Sequence, residues 1–239
     1  MFCIRMADLT IRICNRYQYV RRLCKDYTIP DVESPDLIVE VTEEEILEEI
    51  SISEVQATPA YAEGVCVYRN ICKRLPLLFN AFLMHCAVIE YKGKGYAFAA
   101  QSGTGKSTHI SLWQKHFGEE VRIINGDKPI MRFDGDQLIA YGTPWCGKEG
   151  YNTNSSVALK ALCFLERDQV NRISRITPKE AVSRVFHQVL TPSDIETLDA
   201  FLPLLDRMLR EVPCYVLGCN ISEEAAEVSY RGMSGHDEE

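Results

Sequence analysis

The residues best placed to do chemistry lie in Gly95-Tyr-Ala-Phe-Ala-Ala-Gln-Ser-Gly-Thr-Gly-Lys-Ser-Thr108, an apolar run leading into glycines, a lysine and two hydroxyls. This order reads as a phosphate-binding loop (P-loop, Walker A). Amides at a helix N-terminus have no intrahelical partner, so Ser102, Gly103, Thr104, Gly105, Lys106, Ser107 and Thr108 can wrap a β-phosphate with backbone donors. Gly103 and Gly105 carry no Cβ to block that approach. Lys106 supplies a mobile positive charge for the β- and γ-phosphates, and the Ser107 hydroxyl is placed to ligate Mg2+. Ala100 stands where the usual pattern has glycine, at the strand end rather than at the phosphate.

The alternative is a glycine-rich turn with a chance lysine, and the motif's demand for a strand before and a helix after argues against it. Tyr96 to Ala100 reads as a buried strand. Thr108 to Phe117 reads as a helix with Ile110, Trp113 and Phe117 on one face. A strand around Met84 to Tyr91 and the compact turn Lys92-Gly-Lys-Gly95 make the loop strand half of an antiparallel hairpin. Val121 to Ile124 is a further buried strand. Asp134-Gly-Asp136 invites a second-metal reading, but Asp-Gly between two apolar runs signals a hairpin turn.

Gly142 to Asn154 lacks apolar periodicity, and after a strand such a loop is expected to act as a substrate or nucleotide lid. Val157 to Leu165 reads as a buried strand with Glu166 to Asn171 as its exit. Pro178 to Leu190 and Ser193 to Val212 read as amphipathic helices, the second with Leu198, Phe201, Leu202, Leu205, Met208 and Leu209 inside. Pro213 to Cys219 is a last strand, and Ser222 is placed to cap a final helix. His187 falls on a helix, where a structural role is expected.

Upstream, Phe2 to Cys14 alternates as a strand or hairpin, Tyr17 to Tyr27 suits a short basic helix, and Leu37 to Val41 is a strand. Thr42 and Glu45 form a capping box opening a helix to Ile50. Asp31 to Glu54 is acidic without one basic residue, which fits a solvated face better than a metal site or docking surface. Thr58-Pro59 starts a helix running to about Pro76. The first 57 residues thus form a small α+β extension, with residues 58–239 as the main domain.

At 239 residues, 46% hydrophobic and 25% charged, the chain can bury a sizeable core. It holds no apolar run of about 18 residues, and its first residues carry charges where a signal peptide needs an apolar stretch, so a cytoplasmic protein is expected. A net charge of −8 opposes nucleic acid and anionic membranes as partners. Lys and Arg nevertheless outnumber Asp and Glu between residues 92 and 148. The 10 cysteines are scattered without zinc spacing, as expected for reduced thiols, with Cys66, Cys86, Cys163 and Cys219 among apolar neighbours.

His85 in a strand, a glycine-containing turn, a second strand, Ser102-Gly-Thr-Gly-Lys-Ser-Thr108 and then Ile123-Ile-Asn-Gly-Asp-Lys128 resemble the HPr kinase/phosphorylase family. More distantly they resemble ATP-dependent phosphoenolpyruvate carboxykinase. The resemblance covers about residues 80–150. Gly142-Thr-Pro-Trp-Cys-Gly-Lys-Glu149 is similar to bacterial HPr-kinase-like proteins of uncertain substrate. It implies an α/β P-loop nucleotide-binding fold with a mixed sheet, and ATP and Mg2+ as cofactors.

The resemblance also implies roles. Lys106 and Ser107 keep theirs, and Asp127 becomes the general base and a metal ligand. A carboxylate just past the 121–124 strand would lie beside the loop, which agrees, although a turn aspartate is the competing reading. The family shows two adjacent acids there; this chain has Gly126-Asp127-Lys128. His85 takes a place near the transferred phosphate, whereas the residues alone would favour a satisfied core histidine. Lys148 is implied as a phosphate-neutralising cation and Glu149 as a metal ligand, against a plain surface loop.

The resulting expectation is a Mg-ATP-dependent kinase acting on a hydroxyl of a small molecule such as serine, or of a protein or precursor peptide. A homo-oligomer is compatible with it. ATP, GTP and pyrophosphate are not distinguished. The rival is a nucleotide-binding regulatory module that hydrolyses ATP slowly or not at all, favoured by the missing second acid.

Overall fold

The structure is a computed structural model that describes all residues except 54–55, 102 and 236–239, so Ser102 lies outside the described residues. The first residues build a hairpin of β1 (Phe2–Met6), buried except at Arg5, and β2 (Leu9–Cys14), whose burial alternates. After α1 (Gln18–Leu23), β3 (Thr28–Ile29) and β4 (Leu37–Glu40) extend it to a four-stranded sheet in the order β3-β1-β2-β4. Thr42 and Glu45 form the expected capping box of α2 (Glu43–Ile52). Thr58 caps α3 (Pro59–Cys72), whose Ala62, Val67 and Ile71 share a core with Ile4, Ile11 and Ile13 of the sheet. The expected run to Pro76 is broken. Pro76 has no N–H to continue α3 and instead sits in the first turn of α4 (Leu75–Phe79).

The second sheet follows from β5 (Ala81–Leu83), β6 (Cys86–Tyr91), β7 (Lys94–Ala99), then α5 (Lys106–Phe117), β8 (Arg122–Asn125), β9 (Ile130–Asp134) and β10 (Gln137–Tyr141). The chain continues through β11 (Ser156–Arg167), β12 (Arg172–Ile176), α6 (Pro178–Phe186), α7 (Ile195–Glu211), β13 (Cys214–Cys219) and α8 (Glu224–Ser234). The strands form a nine-stranded mixed sheet. Its order is β5-β9-β10-β11-β7-β6-β8, with β13 on β11 and β12 on β13. β7 and β13 run parallel to β11, and β6 is antiparallel to both β7 and β8.

Period-2 alternation sends side chains of the central strands into two helical layers. Val88, Ala97, Ala99, Leu162 and Phe164 meet Phe201, Leu205 and Met208 of α7. Ile89, Tyr96, Phe98, Ala161 and Cys163 meet Ile110 and Trp113 of α5 and Ala226 and Met233 of α8. Both faces of β7 are therefore covered, which is why its sequence reads as a continuous apolar run.

Both expected hairpin turns are present: Tyr91 pairs with Lys94 across Lys92-Gly93, and Asp134 pairs with Gln137 across Gly135-Asp136. Several expectations change. β12 lies between the expected exit at Glu166 to Asn171 and the expected helix from Pro178, in a stretch for which no element is expected. Leu202 faces solvent and Leu204 takes its core position, the helical step that aligns with Phe201, Leu205 and Met208. Ser222 does not cap α8, which has Glu223 at that position; the Ser222 hydroxyl accepts from Asn171 Nδ2 at 3.0 Å. Cys219 is only half-buried, whereas Cys66, Cys86 and Cys163 are core thiols, and all 10 cysteines are free. Among the described residues, no helix is long and apolar enough to cross a membrane.

Candidate functional site

β6 and β7 share their hairpin and β8 pairs antiparallel with β6, so the carboxyl ends of β7, β8 and β11 open on one side of the sheet. The glycine-rich loop leaves β7 there and runs into the first turn of α5. Gly103 and Gly105 take φ of +76° and +122°, backbone that side-chain-bearing residues avoid, and no side chain caps α5 because its N-cap is Gly105. The amides of Lys106, Ser107 and Thr108 precede the first intrahelical bond, which His109 N makes to Gly105 O at 2.9 Å.

These residues border a cleft of about 740 Å³ together with His85, Asp127, Lys128, Lys148 and Glu149. The cleft thus gathers the sequence-derived candidates from four separate segments. Thr104 does not line it; that residue faces two adjoining hollows. Lys148 and Glu149 are exposed at the cleft rim.

His85 is neither a strand residue nor a core histidine. β5 ends at Leu83, Met84 bridges to Val189, and the His85 side chain is 33% exposed. Its backbone N donates to Gln188 O at 2.5 Å. With its amide turned to satisfy both neighbours, Gln188 donates to His85 O at 2.9 Å and Ala100 O at 3.2 Å. The segment after α6 therefore holds His85 against the end of the loop strand. His187 belongs to this wall. It caps α6 and is exposed to the cleft, not packed as a structural helix residue.

Three groups meet at His85 Nε2, with Lys106 Nζ at 2.9 Å and Asp127 Oδ1 at 2.9 Å. One ring nitrogen cannot serve both. If Nε2–H donates to the carboxylate, no lone pair remains for the ammonium. On its other side Asp127 Oδ2 lies 3.5 Å from Lys128 Nζ, which itself stands 5.4 Å over the Tyr68 ring. Burial pushes the Asp127 carboxyl up, but the His85 hydrogen bond and the charges of Lys128, His85 and Lys106 outweigh it and hold it below its ordinary value. Burial draws the Lys106 ammonium, 8% exposed, below its ordinary value, with Asp127 opposing.

Asn125, which no motif singles out, fixes Asp127. Fully buried at the end of β8, its Oδ1 accepts from the amides of Asp127 at 2.8 Å and Lys128 at 2.6 Å. Its Nδ2 donates to Thr143 O at 3.0 Å, and the Thr143 hydroxyl donates to Lys128 O at 2.7 Å. The Asn-Gly-Asp spacing signals such a turn, but only burial shows that it anchors the carboxylate. The 142–154 loop is likewise no free lid. Gly126 N donates to Tyr151 O, Thr153 N to Ile124 O, and Thr153 Oγ1 to Ile123 O, so its second half is stitched along β8.

The arrangement offers amide donors and a nearly buried ammonium for a polyanion, and beside them an ionised carboxylate able to orient a hydroxyl or share a cation. No family model matches the chain and no curated protein matches it. Among solved structures, one match is the HPr(Ser) kinase/phosphatase from Coxiella burnetii, at a TM-score of 0.37 and 10% identity, covering 65% of this chain and 94% of that one. A likeness at that level leaves the chemistry to be read from this chain's own residues.

Proposed function

We propose that the chain binds Mg·ATP at the glycine-rich loop and transfers the γ-phosphoryl group to a hydroxyl acceptor in the cleft. The carrying observation is the meeting of Lys106, His85 and Asp127. A phosphate oxygen that takes Lys106 Nζ as its partner resolves the competition at His85 Nε2, which is then free to donate to Asp127. The nearly buried ammonium gains a full negative partner, and the triad becomes consistent.

The residues present fit a nucleotide-borne Mg2+ better than a free-standing ion. No group of three or more His, Cys, Asp or Glu side chains among the described residues suits a metal. Mg2+ takes few protein ligands when phosphates and water supply the rest, and the Ser107 hydroxyl and the Asp127 carboxylate, both lining the cleft, are the groups to hold it. The ion would supply charge neutralisation on the phosphates. The amides of Lys106 to Thr108 and the Lys106 ammonium stabilise the phosphoryl group in flight.

Asp127, ionised and locked by Asn125, orients the acceptor hydroxyl and takes its proton as the acceptor oxygen bonds to the γ-phosphorus and the bond from that phosphorus to the β,γ-bridging oxygen breaks, leaving ADP. Lys128 and Lys148 bring further positive charge to the cleft, with Glu149 the second candidate metal ligand. In this reading cytoplasmic ATP is the donor, and the acceptor is a small molecule or a protein or peptide hydroxyl.

The test is incubation of the purified chain with γ-labelled ATP, Mg2+ and fractionated cell extract. Label on an acceptor, abolished by Lys106→Ala with the melting temperature preserved, is the expected result. ATP binding without labelled acceptor or turnover points to a regulatory module, and labelling unchanged in Lys106→Ala removes the loop from the chemistry.

A further inference from the structure

The cleft reaches past the glycine-rich loop. Part of its wall is made by Tyr68, Leu83, Lys128, Val189 and Leu190, none of which belongs to the loop or to α5. The two oxygens of the Asp127 carboxylate have different neighbours. Oδ1 lies 2.9 Å from His85 Nε2, the nitrogen that also meets Lys106, whereas Oδ2 faces Lys128 Nζ at 3.5 Å. With Oδ1 held by His85, Oδ2 is the oxygen left to an acceptor hydroxyl. That hydroxyl then stands beside the Lys128 ammonium.

Lys128 is held in place while its ammonium keeps donors to spare. Its backbone N donates to Asn125 Oδ1 at 2.6 Å and its O accepts from the Thr143 hydroxyl at 2.7 Å, so both backbone groups are tied to buried partners. Nζ stands 5.4 Å from the centroid of the Tyr68 ring, and the Trp145 ring packs against Tyr68 in turn. Its contact with Asp127 at 3.5 Å is longer than a charge-assisted hydrogen bond of about 2.7–2.9 Å. The side chain is 38% exposed, and an ammonium carries three donors. Keeping Asp127 ionised does not account for Lys128 alone, because the His85 hydrogen bond acts in the same direction and more strongly.

Resting on the nucleotide reading above, we propose that the acceptor is a hydroxycarboxylate, with Asp127 Oδ2 on its hydroxyl and Lys128 Nζ on its carboxylate. The two protein groups stand 3.5 Å apart, a span matched by a hydroxyl and a carboxylate on the same carbon or on neighbouring carbons. Leu83, Val189 and Leu190 offer apolar contact to the carbon skeleton. In the transfer step the hydroxyl oxygen bonds to the γ-phosphorus, the bond from that phosphorus to the β,γ-bridging oxygen breaks, and the hydroxyl proton passes to Asp127. The products are ADP and a phosphorylated hydroxy acid. A free hydroxy acid and the C-terminal serine of a peptide present the same pair of groups.

The test gives the full chain γ-labelled Mg·ATP with matched acceptors: glycerate against glycerol, L-serine against ethanolamine, and a peptide ending in serine against its C-terminal amide. In at least one pair the carboxylate-bearing member should be labelled with a kcat/KM roughly tenfold or more above its partner. Label on the small acids alone identifies a free hydroxy acid, and label on the peptide alone identifies a chain terminus. Lys128→Met should bring the ratio within that pair close to one, whereas Lys128→Arg, which keeps a cation over Tyr68, should retain the preference. Equal labelling within every pair, or a slower Lys128→Met with its ratio unchanged, overturns the acceptor class alone. Calorimetric binding of Mg·ATP with none of these acceptors labelled does the same. Absence of Mg·ATP binding, or labelling unchanged in Lys106→Ala, overturns the nucleotide reading and the acceptor class with it.

Discussion

Asp127 concentrates the electrostatics of the cleft, with three cationic or donor side chains around one carboxylate. Asp127→Asn keeps the shape and the Asn125 contacts, so nucleotide should still bind while phosphoryl transfer falls by roughly 10²-fold or more. The pH dependence has a definite sign. A carboxyl held below its unfolded value contributes stability above about pH 4 that is lost as pH falls through the folded value. Melting curves of wild type and Asp127→Asn should therefore differ near neutrality and converge in acid. Asn125→Ala should act differently, because it leaves the buried amides of Asp127 and Lys128 without their acceptor; a loss of about 1–3 kcal/mol is expected, read as a lower melting temperature. His85→Gln, at a partly exposed position, should leave the melting temperature near that of wild type and reduce turnover at least roughly tenfold.

The hairpin, the loop and the helix behind it were legible because apolar runs, Lys92-Gly93 and the glycine-lysine order are local signals. The capping box at Thr42 and Glu45 was legible for the same reason. What escaped depends on contacts distant in sequence: Gln188 gripping His85, Asn125 braced by Thr143, and β12, which forms by pairing with β13. Hydrophobic periodicity carries none of these. The 142–154 loop was legible as a cleft border but not as a stitched one, and Gly142 shows why. A Cβ there would stand 1.9 Å from Thr153 O and 2.7 Å from Ile124 O, both backbone atoms. Gly142→Ala should force the loop off β8, and faster amide exchange at Gly126 and Thr153, with a lowered melting temperature, would report it. Unchanged protection would mean the close approach is dispensable.

At the scale of the molecule, a mixed sheet between two helical layers presents the ends of β7, β8 and β11 on one side, and the amino-terminal sheet joins that site through α3. Tyr68 lines the cleft beneath Lys128, and the Trp145 ring packs against it, tilted by 47° with centroids 5.4 Å apart, while its indole N–H donates to Gly64 O at 3.3 Å. The cleft is therefore shaped by residues from both sheets' surroundings and has no separate structural origin. In the reading proposed above, this shared cleft holds the γ-phosphate of a nucleotide beside Asp127. A crystal structure with Mg2+ and a non-hydrolysable ATP analogue tests it most directly. The β- and γ-phosphates should lie on the amides of Lys106 to Thr108 with Lys106 Nζ bonded to them, Mg2+ on Ser107, and the γ-phosphorus facing Asp127. Phosphates bound away from the loop, or a γ-phosphate turned from Asp127 with His85 and Lys106 still in contact, would contradict it.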